Sequence, residues 1–144
     1  MGYTPMDPDQ LQAFLTAPVR PGILGTTRKN GRPHLAPVWY VLDGPDTLYF
    51  NTGSDTIKGR TLRRTGWAAL TVQDDRPPFS YAGVSGPVEL IEDLEQVRHW
   101  AAILGGRYMG AERAQEYGDR NAVPGELLCR LQIEQRYGVR DVAD

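Results

Sequence analysis

One cysteine, Cys129, is all that 144 residues supply, so no internal disulfide can form. No apolar run approaches the roughly 20 residues that a membrane-crossing helix needs. Neither sign of charge dominates: 16 Lys and Arg stand against 18 Asp and Glu, a formal net charge of -2. The chain as a whole therefore has no field that would draw it to nucleic acid or an acidic membrane. There are only two histidines, His34 and His99, and neither has the HExxH or CxxC company of a metal site. The GxGxxG and GxxxxGK[ST] patterns are missing, which argues against dinucleotide and P-loop sites. So is the GxSxG of a serine hydrolase. With no conventional acid–base set, chemistry here would be carried by a bound cofactor. The opening residues MGYTPMDPDQLQAFL lack the basic start and apolar stretch of a secretory signal, so a cytoplasmic location is expected.

The composition is that of a folded domain, with 40% hydrophobic and 24% charged residues. At this length residues 1–144 form one domain. Asp7 to Leu15 reads as an opening helix, capped by Asp7 and presenting Leu11, Phe14 and Leu15 at helical spacing. From Gly22 the pattern becomes extended. Two runs flank Asn30-Gly31, a strong hairpin signal, and a third, TLYFNT, follows the Gly44-Pro45 turn. Together they predict a three-strand meander. Ser54 or Asp55 then caps a helix through Arg64, with Ile57 and Leu62 turned inward and Thr65-Gly66 ending it. Trp67 to Gln73 is a strand. Ser80 to Ile91 is another, whose Gly83 and Gly86 suggest a bulge or a close approach to a ligand. Asp93 caps the helix LEQVRHWAAIL, and a second helical piece follows a glycine pair. A long strand, Glu126 to Arg140, closes the chain and buries Cys129 with Leu127, Leu131 and Ile133. Six or seven antiparallel strands with inserted helices favour a closed or split barrel, a mainly β fold of the α+β kind.

Candidate chemistry gathers between Arg32 and Arg64. Lys58, Arg60, Arg63 and Arg64 fall within seven residues that contain no acid. Such a cluster is either a phosphate grip at a helix start or a solvated basic face. In APVWYV, Pro37 removes a ladder donor and belongs at a strand edge or bulge. Trp39 and Tyr40 point to opposite faces, so one packs inside while the other borders a groove. Asn51 and Thr52 end the third strand, where they can cap the helix or bond to the polar edge of a ring. His34 and His99 read as packed or solvent-edge residues.

The stretch RPHLAPVWYVLDGPDTLYFNTGSDTIKGRTLRR, with WAALTVQDDRPPFSYAGVSGPVELIED and the RYMG of Arg107 to Gly110, resembles the split β-barrel flavin and deazaflavin oxidoreductase superfamily. The pyridoxamine 5′-phosphate oxidases are its best-known relatives, and the chain is most similar to the branch that uses coenzyme F420. The resemblance implies a homodimer with cofactor sites at the subunit interface and a small-molecule substrate. It also implies that Lys58 and Arg60 hold the cofactor phosphate, with Arg63 or Arg64 assisting. Pro37, Val38 and Trp39 would lie along the ring, Asn51 and Thr52 would meet its polar edge, and Tyr81 and Gly83 would lie near it. FMN is the alternative cofactor on this barrel, and a non-catalytic flavin-binding protein the alternative role. Thr61 departs from the asparagine many relatives carry. RLQIEQRYGVRD lacks the substrate-binding arginine and histidine pattern of the true oxidases, which argues against vitamin B6 oxidation.

Overall fold

Alternation of apolar and polar residues and the turn signals between runs resolve, in the computed structural model, into nine strands and four helices among the described residues, 3–144. In chain order these are β1 (Thr4–Pro5), α1 (Pro8–Thr16), β2 (Gly22–Thr27), β3 (Pro33–Val38), β4 (Val41–Asp43), β5 (Thr47–Gly53), α2 (Ile57–Thr65), β6 (Trp67–Gln73), β7 (Tyr81–Ile91), α3 (Leu94–Met109), α4 (Ala114–Asn121), β8 (Glu126–Gln132) and β9 (Gln135–Arg140). All pairings are antiparallel, and the strands curl in the order β3-β2-β6-β7-β8-β5-β4, with β9 beside β7 and β1 beside β9. The fold is thus an antiparallel split β-barrel with short helices. It exceeds the expected six or seven strands because two extended runs are each broken and β1 is added.

The first break corrects the three-strand meander. β3 and β4 are consecutive in the chain yet form opposite ends of the strand order. Trp39 and Tyr40 lie between them, and the backbone of Tyr40 is taken up by α3 instead of by a strand. The Tyr40 N–H donates to the Tyr108 hydroxyl at 3.1 Å, and its carbonyl accepts from Arg107 Nε at 3.1 Å. The Tyr40 ring is fully buried and its hydroxyl donates to the Leu15 carbonyl at 2.7 Å. Hence the barrel stays open between β3 and β4.

The second break corrects the long closing strand. Val88 to Ile91 pair with Leu131 to Leu128, and Tyr81 to Ser85 pair with Val139 to Gln135. Between these ladders β7 has Gly86 and Pro87, whereas the facing chain has Gln132, Ile133 and Glu134. That extra residue is a bulge. The β6–β7 ladder itself runs without interruption from Trp67–Pro87 to Gln73–Tyr81, so the bulge lies across from Gly86 and not within its own strand. A methyl group at Gly86 would strike the Gln132 carbonyl, and one at Gly83 would strike the Tyr137 ring. At both glycines the space that a side chain would take is filled by the protein's own chain.

Inside the curl, Leu24, Tyr40, Leu48, Phe50, Leu62, Leu70, Leu127, Cys129 and Leu131 form the core. Burial pushes the Cys129 thiol up to about 12, so it packs as an inert apolar group. Outside, Trp100 of α3 stacks on Tyr49 of β5 with centroids 3.9 Å apart. The expected glycine break in α3 does not occur. Gly105 and Gly106 stay helical, and a Cβ on Gly105 would lie 2.7 Å from Cγ of Tyr117, so they let α4 close onto α3.

Candidate functional site

A cavity of about 430 Å3 opens where the barrel is split. Its walls come from the last residues of β3 (Pro37, Val38), from Trp39, from the end of β5 (Asn51, Thr52), from the start of α2 (Thr56, Lys58), from α3 (Ala101, Leu104), from α4 (Tyr117, Asn121) and from Glu126 of β8. The volume suits a small organic ligand. Trp39 stacks parallel on Tyr108 at 5.0 Å and meets Tyr117 edge-on at 5.6 Å, so the aromatic wall is held from behind. Tyr108 is itself anchored, its hydroxyl donating to the Arg20 carbonyl at 2.7 Å.

The polar side is built around the first turn of α2. Thr56 is the N-cap, correcting the expectation of Ser54 or Asp55. Its Oγ1 accepts from the Gly59 N–H at 3.0 Å and donates to the Gly53 carbonyl at 2.8 Å, leaving Thr52 Oγ1, 3.0 Å away, to donate to it. A side chain on Gly59 would collide with the Gly53 carbonyl, so the helix can close on β5 only with glycine there. The turn leaves the first amides of α2 without helical partners, at the positive end of its dipole, beside half-buried Lys58. Asn51 carries a buried Oδ1 with no hydrogen-bond partner. An unpartnered buried acceptor, an exposed helix N-terminus and a lysine in one cavity fit a planar ring with a polar edge and an anionic tail. Burial raises the Glu126 carboxyl above its ordinary range, Asp55 adds to this, and Arg120 opposes both.

Of the residues singled out in the sequence, Pro37, Val38, Trp39, Asn51, Thr52 and Lys58 surround this cavity. Arg60 and Arg63 do not. With Arg64 they line a different cleft, because at about 100° per residue Arg60, Arg63 and Arg64 lie roughly 200°, 140° and 240° round the helix from Lys58. Ile57, expected to face inward, is exposed beside them. Tyr81 borders a third recess with Arg20 and Asp74. Gly83 lies on the outer face of the sheet. Sequence reasoning missed Thr56, Gly59, Tyr117, Asn121 and Glu126. Gly59 left a signal as a glycine inside a helical run, and Thr56 as a capping-type residue beside Ser54 and Asp55.

An antiparallel split barrel with this cavity at its opening has the fold of the flavin- and deazaflavin-binding oxidoreductases. More particularly, the chain belongs to the pyridoxamine 5′-phosphate oxidase family, whose model matches residues 7–140. A conserved hypothetical protein from Mycobacterium tuberculosis is similar, with TM-score 0.82 and 19% identity, over 96% of this chain and 89% of that one. An F420 reductase matches with TM-score 0.67 and 23% identity, over 85% and 93% of the two chains. A FAD-binding protein from Mesorhizobium loti matches with TM-score 0.71 and 19% identity, over 96% and 98%. At these identities the likeness is one of fold. No curated protein matches the sequence. Among the described residues no helix is long and apolar enough to cross a membrane.

Proposed function

We propose that this chain is a coenzyme F420-dependent reductase that works as a homodimer. The observation that carries the cofactor reading is the pairing, in one cavity, of the unpartnered Asn51 Oδ1 with Lys58 at the N-terminus of α2. Lys58 and the first amides of α2 hold the phosphate, and Asn51 accepts from an N–H at the ring's polar edge. Pro37, Val38 and Trp39 line the ring, while Leu104 and Tyr117 keep water from its face. The deazaflavin, when bound, supplies the carbon that gives or takes the hydride. The protein orients a small unsaturated substrate against it, which requires no catalytic histidine. Kinship of fold with an F420 reductase supports the deazaflavin over FMN, and kinship with a FAD-binding protein keeps the flavin as the second reading.

The dimer is supported by the outer face of the sheet. Ile23, Leu35, Trp67 and Tyr137 are exposed there, and Ile23, Leu35 and Tyr137 border one shallow apolar recess. A contiguous apolar patch of this kind marks an interaction surface. Pro37 pairs with Ile23 on that sheet and also lines the cavity, so a second copy seated there borders the cofactor site.

Fluorescence titration with the deazaflavin and with FMN tests this reading. The deazaflavin is expected to bind more tightly, and Lys58→Ala to weaken it by about 1.5–3 kcal/mol. Tight FMN binding without deazaflavin affinity rejects the F420 assignment, and an unchanged affinity in Lys58→Ala removes Lys58 from the site.

A further inference from the structure

The basic residues of α2 that turn away from the cofactor cavity have a cleft of their own. Arg60 and Arg64 share a helix stripe with Ile57 and Thr61, at spacings of three, four and seven residues, and face the turn between β2 and β3. That turn brings Arg28 and Lys29 to the opposite wall, and Arg63 completes the rim of a cleft of about 520 Å3. The turn is fixed: Arg28 N–H donates to the Arg32 carbonyl and Gly31 N–H to the Arg28 carbonyl, each at 2.9 Å, and Asn30 Oδ1 accepts from Arg32 N–H at 3.0 Å. A bond from Arg64 to the Thr27 carbonyl ties the helix to the end of β2.

Five cations and no acid line this cleft, on a chain whose formal net charge is -2. The one acid paired with any of them is Glu92, 3.1 Å from Arg63, with both side chains mostly in solvent. Arg28, Lys29 and Arg60 form no ion pair among the described residues. Like charges held this close repel one another, and a bound anion relieves the repulsion. Four of the five are arginines, whose planar forks match phosphate oxygens two at a time. One phosphate group cannot engage them all.

We propose that this cleft is a second anion site, separate from the cofactor cavity, and that it takes a chain of two or more phosphates. Its walls, the hairpin turn and the outer stripe of α2, hold the phosphate chain between them. Lys58, on the other side of the helix, takes no part.

Titration calorimetry of inorganic tripolyphosphate into the whole protein, at low and moderate salt, tests the assignment, with inorganic monophosphate as the comparison. Tripolyphosphate is expected to bind at least about tenfold more tightly than monophosphate, with affinity falling steeply as salt rises. Arg60→Gln and Arg28→Gln each weaken it about five- to tenfold, whereas Lys58→Ala, which removes only phosphate held in the cofactor cavity, leaves this Arg60-dependent binding unchanged. Arg28 and Arg60 are exposed, so both variants keep the fold, which a thermal melt checks. Absence of binding, equal affinity for the two anions, or a loss in Lys58→Ala with none in Arg60→Gln overturns the proposal. Cofactor binding lost in Lys58→Ala while tripolyphosphate still binds shows that the two sites stand or fall separately.

Discussion

Single residues in this chain are chosen as often by what cannot fit beside them as by what they contribute. Gly86 faces a backbone carbonyl across the bulge, which cannot move without breaking the ladder, whereas Gly83 faces the ring of Tyr137, an exposed side chain that can swing away. Gly86→Ala is therefore expected to cost more than about 3 kcal/mol or to prevent folding, and Gly83→Ala no more than about 1 kcal/mol. Thermal unfolding of the two variants side by side checks this, and equal losses would show that the bulge yields. The same scale explains what the sequence disclosed of the site. Lys58, Asn51 and Thr52 were legible because strand end and helix start adjoin in the chain. Glu126 and Tyr117 were not, since they reach the cavity from elements some 60 to 75 residues further on.

Elements were legible where local chemistry decides them. Asp7 caps α1 as expected, its Oδ1 accepting from Gln10 N–H at 2.8 Å while Gln10 Oε1 accepts from Asp7 N–H at 2.9 Å. The β2–β3 hairpin turns at Asn30-Gly31, with Gly31 at φ +82°. Gly66 ends α2 in the left-handed conformation at φ 63°. Errors arose where tertiary contact overrides local pattern: the run from Pro33 to Asp43 alternates like one strand, but α3 captures its middle. α2 supplies the test at this scale. Thr56→Ala removes the acceptor for Gly59 N–H and the partner of Thr52, at a cost of about 1 kcal/mol of stability. It should also weaken cofactor binding through the loosened first turn, and Thr56→Ser should restore both. A melt and a cofactor titration measure the pair. Restored stability without restored binding would mean that the threonine methyl, not the cap, positions Lys58.

For the molecule as a whole, the barrel class was readable from strand number and hairpin signals, but the strand order was not, because pairings such as β5 with β8 join residues far apart in the chain. The proposed dimer belongs to this scale. Leu35 is 65% exposed on the outer face of the sheet, so Leu35→Arg leaves the core untouched. Wild-type protein is expected to sediment as a dimer and the variant as a monomer with reduced cofactor affinity. A wild-type monomer in sedimentation velocity would remove the second copy from the site.

Arg107 reaches back to the carbonyls of Leu15, Thr16 and Tyr40 from the far end of α3. During synthesis, the first hundred residues leave the ribosome with this seam unstitched and its carbonyls wet. The cavity at the split is thus completed late, once α3, α4 and Glu126 of β8 have all been made.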